Sequence, residues 1–324
     1  MQQQPRFTPR YALTFGEVAI LHVGGKEFGD GIRECGFAVD ELRAVAAKLN
    51  GRDPGRAEVV LISDRLPTAA MRSKHEAAVL VVRNGAEIFC SANTAGTGGG
   101  AYCAANAADE LIQEQRKIRY DRKFWNARQR KTMNKRARYN TCFGETSISP
   151  SEDFSQPTVH AFPPRLAAFR TGCAAVLGPK AQGLGAEGNH YFEPRSGIGF
   201  HGDSERKIVI CLSLGGSSTL RYQWRFPGSS EHTLPPTDVR VGHGDVYVMS
   251  EKATGFDWRF RSRVRVVHGA GAEKYIGTKK KKKQQPTRGK GKRAAATAMQ
   301  RSDAESEGTE APTSAKRAKV VSES

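Results

Sequence analysis

Two stretches of the chain carry the same three letters, His201-Gly202-Asp203 in GFHGDSERKIVICLSLG and His243-Gly244-Asp245 in VGHGDVYVMS. A histidine and an aspartate two apart on a strand project to one face and can grip one ion together. Two imidazoles and a carboxylate on one side of a ferrous ion leave the other side open to a cosubstrate and to oxygen. The set is completed by a second histidine that the fold brings alongside from a late strand. His268, in RVRVVHGAG, follows Asp203 by 65 residues, enough for the four strands read between them. It follows Asp245 by only 23, enough for one. The spacing therefore selects His201, Asp203 and His268, and it reads VGHGDVYVM as a glycine-bounded turn launching a buried strand. His22, His75, His160, His190 and His232 have no partner at ligand spacing.

The elements that must position this set are strands. From 189 onward, short runs of strand composition separated by turn residues fall near 189–193, 197–203, 207–214, 218–226, 237–241, 245–250, 261–268 and 273–278. Eight such runs predict a double-stranded β-helix, or jelly roll, over 146–278. Residues 1–112 read as a small α/β domain. YALTFGEVAILHV is a strand, and AVDELRAVAAKLNG is a helix ending at Gly51. AEVVLIS follows as a strand, and AAVLVVRNGAEIFC reads as two strands turned at Asn84-Gly85. TAGTGGGAY is glycine-rich but has neither the lysine nor the spacing of a phosphate loop. The fold class expected is thus α+β, ending in a disordered basic tail over 279–324.

Charge points to the partner. The chain of 324 residues carries a formal charge of +18, an excess that favours a polyanion such as nucleic acid. Between 115 and 138, eleven lysines and arginines stand against the single acid Asp121, with Tyr120, Phe124 and Trp125 among them. Cations follow phosphates and aromatic faces stack on bases; a solvated helix with docked aromatics is the equal alternative. This segment, 113–145, is read as a basic linker and lid. Lys279–Lys283 and the KRAK run at 316–319 have the form of nuclear import signals, so a nuclear location is favoured over a cytoplasmic one. Six cysteines without a CxxC pair read as reduced thiols. No apolar run is long enough to cross a bilayer, and the N-terminus lacks a signal-peptide core.

NHYFEPRSGIGFHGDSE, ICLSLG, GHGDVYVMSEKATGFDWRF and VVHGAG together resemble the AlkB-like branch of the iron(II)/2-oxoglutarate oxygenases, most clearly over 187–278. ARYNTCFGE is similar to the start of that branch's substrate lid. The resemblance implies His201, Asp203 and His268 as ligands of Fe(2+). It implies Asn189 and Tyr191 as hydrogen-bonding partners of 2-oxoglutarate. One departure stands out. The family's closing R-x-N-x-T-x-R strand, whose first arginine clamps the far carboxylate of 2-oxoglutarate, has no counterpart after His268, where the chain reads GAGAEKYIGTKKKKK. Lys279, or else Lys274, is the nearest cation that would take that role, as a point charge and not a fork.

Substrate contacts are expected from Tyr222 and Trp224, which alternate with Arg221 and Gln223 in LRYQWRF. A sheet-core face is the competing reading of that alternation. Glu205 and Arg206 would line the mouth, and Arg138, Asn140 and Phe143 would belong to the lid. The activity implied is oxidative demethylation or hydroxylation of a nucleic acid base. Two alternatives remain open: a protein hydroxylase or demethylase with the same metal set, and a catalytically inactive nucleic-acid-binding protein.

Overall fold

The computed structural model describes residues 7–20, 27–29, 31–92, 106–228 and 234–277. The tail expected over 279–324, with Lys279 in it, lies outside the described residues.

Strand-forming sequence dominates. Eight strands hydrogen-bond into one sheet in the order β4 (Ala57–Leu61), β5 (Ala78–Val82), β15 (Val246–Met249), β12 (Val209–Gly215), β1 (Arg10–Gly16), β10 (Gly185–Tyr191), β8 (Tyr139–Gly144) and β9 (Val159–Ala161). A second sheet has the order β11 (Gly197–His201), β16 (Arg265–Gly271), β13 (Ser218–Arg225) and β14 (Thr237–Val241). Two small hairpins stand apart, β2 (Val18–Ile20) with β3 (Glu27–Gly29), and β6 (Lys123–Asn126) with β7 (Lys131–Asn134). Helices are few: α1 (Val39–Asn50), α2 (Ala69–Lys74), α3 (Gly85–Ala92), α4 (Ala107–Lys117), α5 (Pro164–Leu177) and α6 (Glu273–Ile276). The class is mixed α+β and strand-rich.

Side-chain alternation explains the layers. On β1, Tyr11, Leu13 and Phe15 point to one face and join Leu42 of α1, Phe89 of α3, Leu111 of α4 and Phe169 of α5 in a buried cluster. The other face of the large sheet, through Val79, Val209 and Met249, shares a second cluster with Leu220, Tyr222, Trp224, Val239 and Val266 of the small sheet. Helices thus cover one face of the eight strands, and the four-stranded sheet covers the other. The space between the sheets is where the functional residues meet.

Three sequence expectations are corrected. Residues 1–112 do not close on themselves as a small α/β domain, because β1, β4 and β5 are members of the large sheet, and β1 pairs with both β10 and β12. The hairpin read at Asn84-Gly85 is instead the entry to α3: Ala86, Phe89 and Cys90 are spaced for one helix face and are buried there. The last of the eight predicted strands, 273–278, is α6 over its described part. The strand paired with both β10 and β12 is β1.

Candidate metal centre

The register of the small sheet brings the proposed ligands together. His201 at the end of β11 is the direct cross-strand partner of His268 on β16, and Tyr222 of β13 is its partner on the other side. The two imidazoles lie with ring centroids 4.5 Å apart. Asp203 sits between them: His201 Nε2 is 3.7 Å from its Oδ1 and His268 Nε2 is 3.8 Å from its Oδ2. Both gaps exceed a hydrogen bond. One donor atom from each residue lies within 4.8 Å of the other two, so the group could hold a metal ion. Ligand atoms about 2.1 Å from an ion stand about 3 Å apart, so a small rotation of each side chain closes the set.

Local structure prepares the donors. His201 Nδ1 is 2.8 Å from the Gly199 carbonyl. A carbonyl only accepts, so Nδ1 carries the proton and Nε2 keeps its lone pair toward Asp203 and His268. Burial, then the neighbouring His201, pushes His268 down to about 3, so its ring is neutral at physiological pH. Burial would raise the Asp203 carboxyl, but Arg206 first, then His268, His201 and Arg138, hold it below the ordinary range. The Asp203 N–H donates to the Thr254 carbonyl at 2.9 Å. Gly202 is required at this turn, since a Cβ there would stand 2.2 Å from the Gly255 carbonyl oxygen and 2.7 Å from Trp258.

Arg206 is buried under the metal group. Its Nη2 is 3.1 Å from Glu205 and 3.4 Å from Glu187, and its Nε is 3.8 Å from Asp203. Burial alone would lower its pKa, but these three carboxylates raise it. Gly16 on β1 leaves the space this side chain uses: a Cβ at 16 would meet Arg206 Cδ at 2.6 Å. Glu187 also accepts from Asn140 Nδ2 at 3.2 Å, so Asn140 belongs to this network and not to a lid.

The other predicted residues divide. Asn189 and Tyr191 of β10 are both buried and share the inner face of the large sheet. Arg138 Nε donates to Asn189 Oδ1, which leaves the amide NH2 of Asn189 to donate to a ligand. Arg138 therefore reaches the site. Tyr222 reaches it too, with its ring 5.8 Å from His268 and its buried hydroxyl without a hydrogen-bond partner. It has no exposed face on which a base could stack. Trp224 is buried in the core and donates from Nε1 to the Ile62 carbonyl at 3.1 Å, so the substrate role expected for it is replaced by a structural one. Phe143 is likewise a core residue, on the helix-covered face and not in a lid. Glu205 is half-buried and tied to Arg206. Lys274 is exposed on α6 with Nζ over the Tyr275 ring at 4.8 Å; it does not enter the space between the sheets.

One further cation was missed. Arg10, the first residue of β1, is paired with Tyr191 and Gly215 in the central register. Its guanidinium lies 4.4 Å over the Tyr191 ring, and Nη2 is 3.0 Å from where a Cβ on Gly271 would stand. It therefore reaches across to β16, the strand of His268. Burial lowers its pKa, opposed by Tyr191 and Tyr247. Among the described residues no carboxylate pairs with it; its one hydrogen bond is a 3.4 Å contact to the Ser217 carbonyl. Tyrosines 191, 222 and 247 occupy the space between this cation and Asp203, each pushed up by burial. The signal was RYALTFG itself, at the far end of the chain from where a closing strand was sought.

The second His-Gly-Asp holds a turn. Asp245 is buried, ion-pairs with Arg83 at 2.7 Å and accepts from the Gly242 and Asn84 N–H groups. His243 Nδ1 accepts from the Gly215 N–H at 2.9 Å.

No protein-family model matches the chain. It belongs to the family of an uncharacterized protein from Acanthamoeba polyphaga mimivirus. The two are 30% identical over 271 residues, which span 82% of this chain and 96% of the viral protein.

Proposed function

We propose that the protein is an iron(II)- and 2-oxoglutarate-dependent oxygenase of the AlkB-like kind, acting on a nucleic acid base. The observation that carries this reading is the convergence of His201, Asp203 and His268 together with the cation Arg10. Two histidines and a carboxylate could hold a metal ion, and Arg10 has no ion pair among the described residues. A ligand that chelates a metal through one end and carries a carboxylate at the other satisfies both. 2-Oxoglutarate is such a molecule.

Strands β5, β15 and β12 of the large sheet share a buried cluster with β13, β14 and β16 of the small sheet, and Arg10 of β1 reaches Gly271 of β16, which supports the double-stranded β-helix reading with β1 as its closing strand. That strand reads R-x-A-x-T-x-G from Arg10 to Gly16, against the R-x-N-x-T-x-R expected after His268. Its last position is glycine, and Arg206 occupies the space there beside Asp203.

His201, Asp203 and His268 would hold iron(II), and Arg10, Asn189 and Tyr191 would hold 2-oxoglutarate. Bound together, the pair supplies oxidation of a C–H bond coupled to loss of carbon dioxide from the keto acid. The chain's own part is to keep the His268 imidazole neutral, to keep Asp203 ionised through Arg206, and to present one forked cation to the distal carboxylate. The charge of +18 and the basic 115–138 segment favour a nucleic acid over a protein substrate.

The test is an anaerobic titration of iron(II) and 2-oxoglutarate followed by visible absorption of the chelate, then succinate release on admitting air. The wild type should give both signals and His201→Ala neither. A wild type with no chelate absorption and no succinate refutes the oxygenase reading.

A further inference from the structure

A second cavity lies on the opposite face of the large sheet from the metal group. Its volume is about 440 Å³, within the range of small-molecule sites, and Tyr11, Tyr120, Tyr139, His190 and Phe154 contribute its aromatic wall. The side follows from alternation. His190 sits between Asn189 and Tyr191 on β10, and Tyr11 follows Arg10 on β1, so each points away from the space between the sheets. Tyr139 is the cross-strand partner of His190.

Arg116, Arg119, Arg122 and Lys123 rim this cavity, and all four are exposed. Among the described residues none of them has an ion pair. The one acid in the wall, Asp121, is buried and turned inward, accepting from the Thr158 hydroxyl at 2.6 Å and its N–H at 3.0 Å. Arg116 lies in the last turn of α4, where a cation complements the helix dipole, but Arg119, Arg122 and Lys123 lie past the helix and have no such reason to gather.

The ring faces are mostly taken. Tyr11 and His190 stack at 4.3 Å, and Tyr139 stacks on Phe192 at 4.1 Å with Arg122 over it at 5.3 Å. Phe154 is the exception: it has no ring partner among the described residues. It is held at the cavity edge with φ +61°, a conformation that a bulky side chain rarely adopts and that clusters at ligand clamps. Its loop is pinned by Phe154 N–H to the Ser151 carbonyl at 3.0 Å and Trp125 N–H to the Phe154 carbonyl at 3.3 Å.

We infer that this cavity binds a nucleotide unit of single-stranded nucleic acid, the base against Phe154 and the flanking phosphates on Arg116, Arg119, Arg122 and Lys123. It is a docking site behind the metal centre, not the reaction site. Its role as a substrate anchor rests on the proposed function; the binding itself does not.

The experiment is fluorescence anisotropy of labelled dT12 and rU12 with the full chain at fixed salt, with hydrogen exchange of the complex. Arg119→Glu/Arg122→Glu should weaken both oligomers at least tenfold and flatten the salt dependence by the share of two phosphate contacts. Phe154→Ala should weaken them roughly tenfold while leaving competition by inorganic polyphosphate unchanged. Protection should fall on 116–123 and 152–156. His201→Ala should bind as the wild type does, and a wild type that binds both oligomers but releases no succinate would sink the proposed function and leave this site standing. Unchanged binding by the double variant overturns the inference. So does an equal effect of Phe154→Ala on oligomer and polyphosphate, or protection confined to the tail. The substituted arginines are exposed, so folding should survive; were the double variant unfolded, the same comparison on Lys123→Gln and Phe154→Ala decides.

Discussion

Replacing Arg10 by alanine should abolish tight 2-oxoglutarate binding without touching the metal ligands. Arg10 lies over the Tyr191 ring and is influenced by Tyr191 and Tyr247, and among the described residues it has no acid partner. A hydrogen bond to a charged group contributes about 1.5–3 kcal/mol. The tyrosine hydroxyls remain in the variant, so no larger figure applies. At 1.4 kcal/mol per factor of ten, the dissociation constant should rise roughly 10- to 150-fold. Arg10→Lys should fall between the wild type and alanine, because an ammonium supplies charge without the fork. Lys274→Ala, exposed on α6, should change nothing beyond about twofold. The assay is calorimetric titration of 2-oxoglutarate into protein loaded with manganese(II), with metal affinity measured separately and a melting curve for each variant. An Arg10→Ala protein that melts normally and binds 2-oxoglutarate within twofold of the wild type refutes the clamp assignment.

Other perturbations have equally definite outcomes. Burial, then Arg122, pushes His190 down to about 4, below the ordinary value near 6.5. The unfolded chain therefore takes up this proton first as pH falls, and the stability contributed by the neutral ring is full above about 6.5 and lost toward 4. Thermal melts across that window should fall less steeply for His190→Phe; identical slopes contradict the assignment. Gly202→Ala forces a Cβ against the Gly255 carbonyl and should cost about 1–3 kcal/mol by denaturant titration, with weaker metal binding. Trp224→Phe strands the Ile62 carbonyl that Nε1 now satisfies and should cost about 1–3 kcal/mol. Its substrate KM should hold; a raised KM at unchanged stability would restore the stacking role.

The convergence of His201, Asp203 and His268 was readable because its determinants are local and countable. Two residues on one strand end, and a gap long enough for four strands, leave few arrangements. The hydrophobic runs from 197 to 249 marked β11 to β15 closely for the same reason: their burial is written in alternating or continuous apolar residues. Two kinds of information were not local. At Asn84-Gly85 a turn signal was correct, since Asn84 has φ +46°, but the next residues pack as a helix face because α5 offers an apolar partner. A cation for the proposed carboxylate clamp was expected by counting forward from His268, whereas Arg10, proposed for that role, lies on a strand that pairs with residues some 170–205 positions away. Nothing in a window of ten residues records such a pairing. Trp224 and Phe143 erred the other way. Their chemistry fits a substrate contact, yet each faces a layer that only the assembled sheets define.

The central position of β1 imposes an order on assembly. A chain emerging from the ribosome exposes its first strand early, and the two neighbours that strand needs appear only after residue 185 and after residue 209. Until then it has no place to dock, and contacts this distant form slowly. A product truncated before residue 209 would lack at least one neighbour and leave β1 with an unpaired edge, a template for aggregation. His201 and His268, paired across the small sheet, come together only in the finished polypeptide.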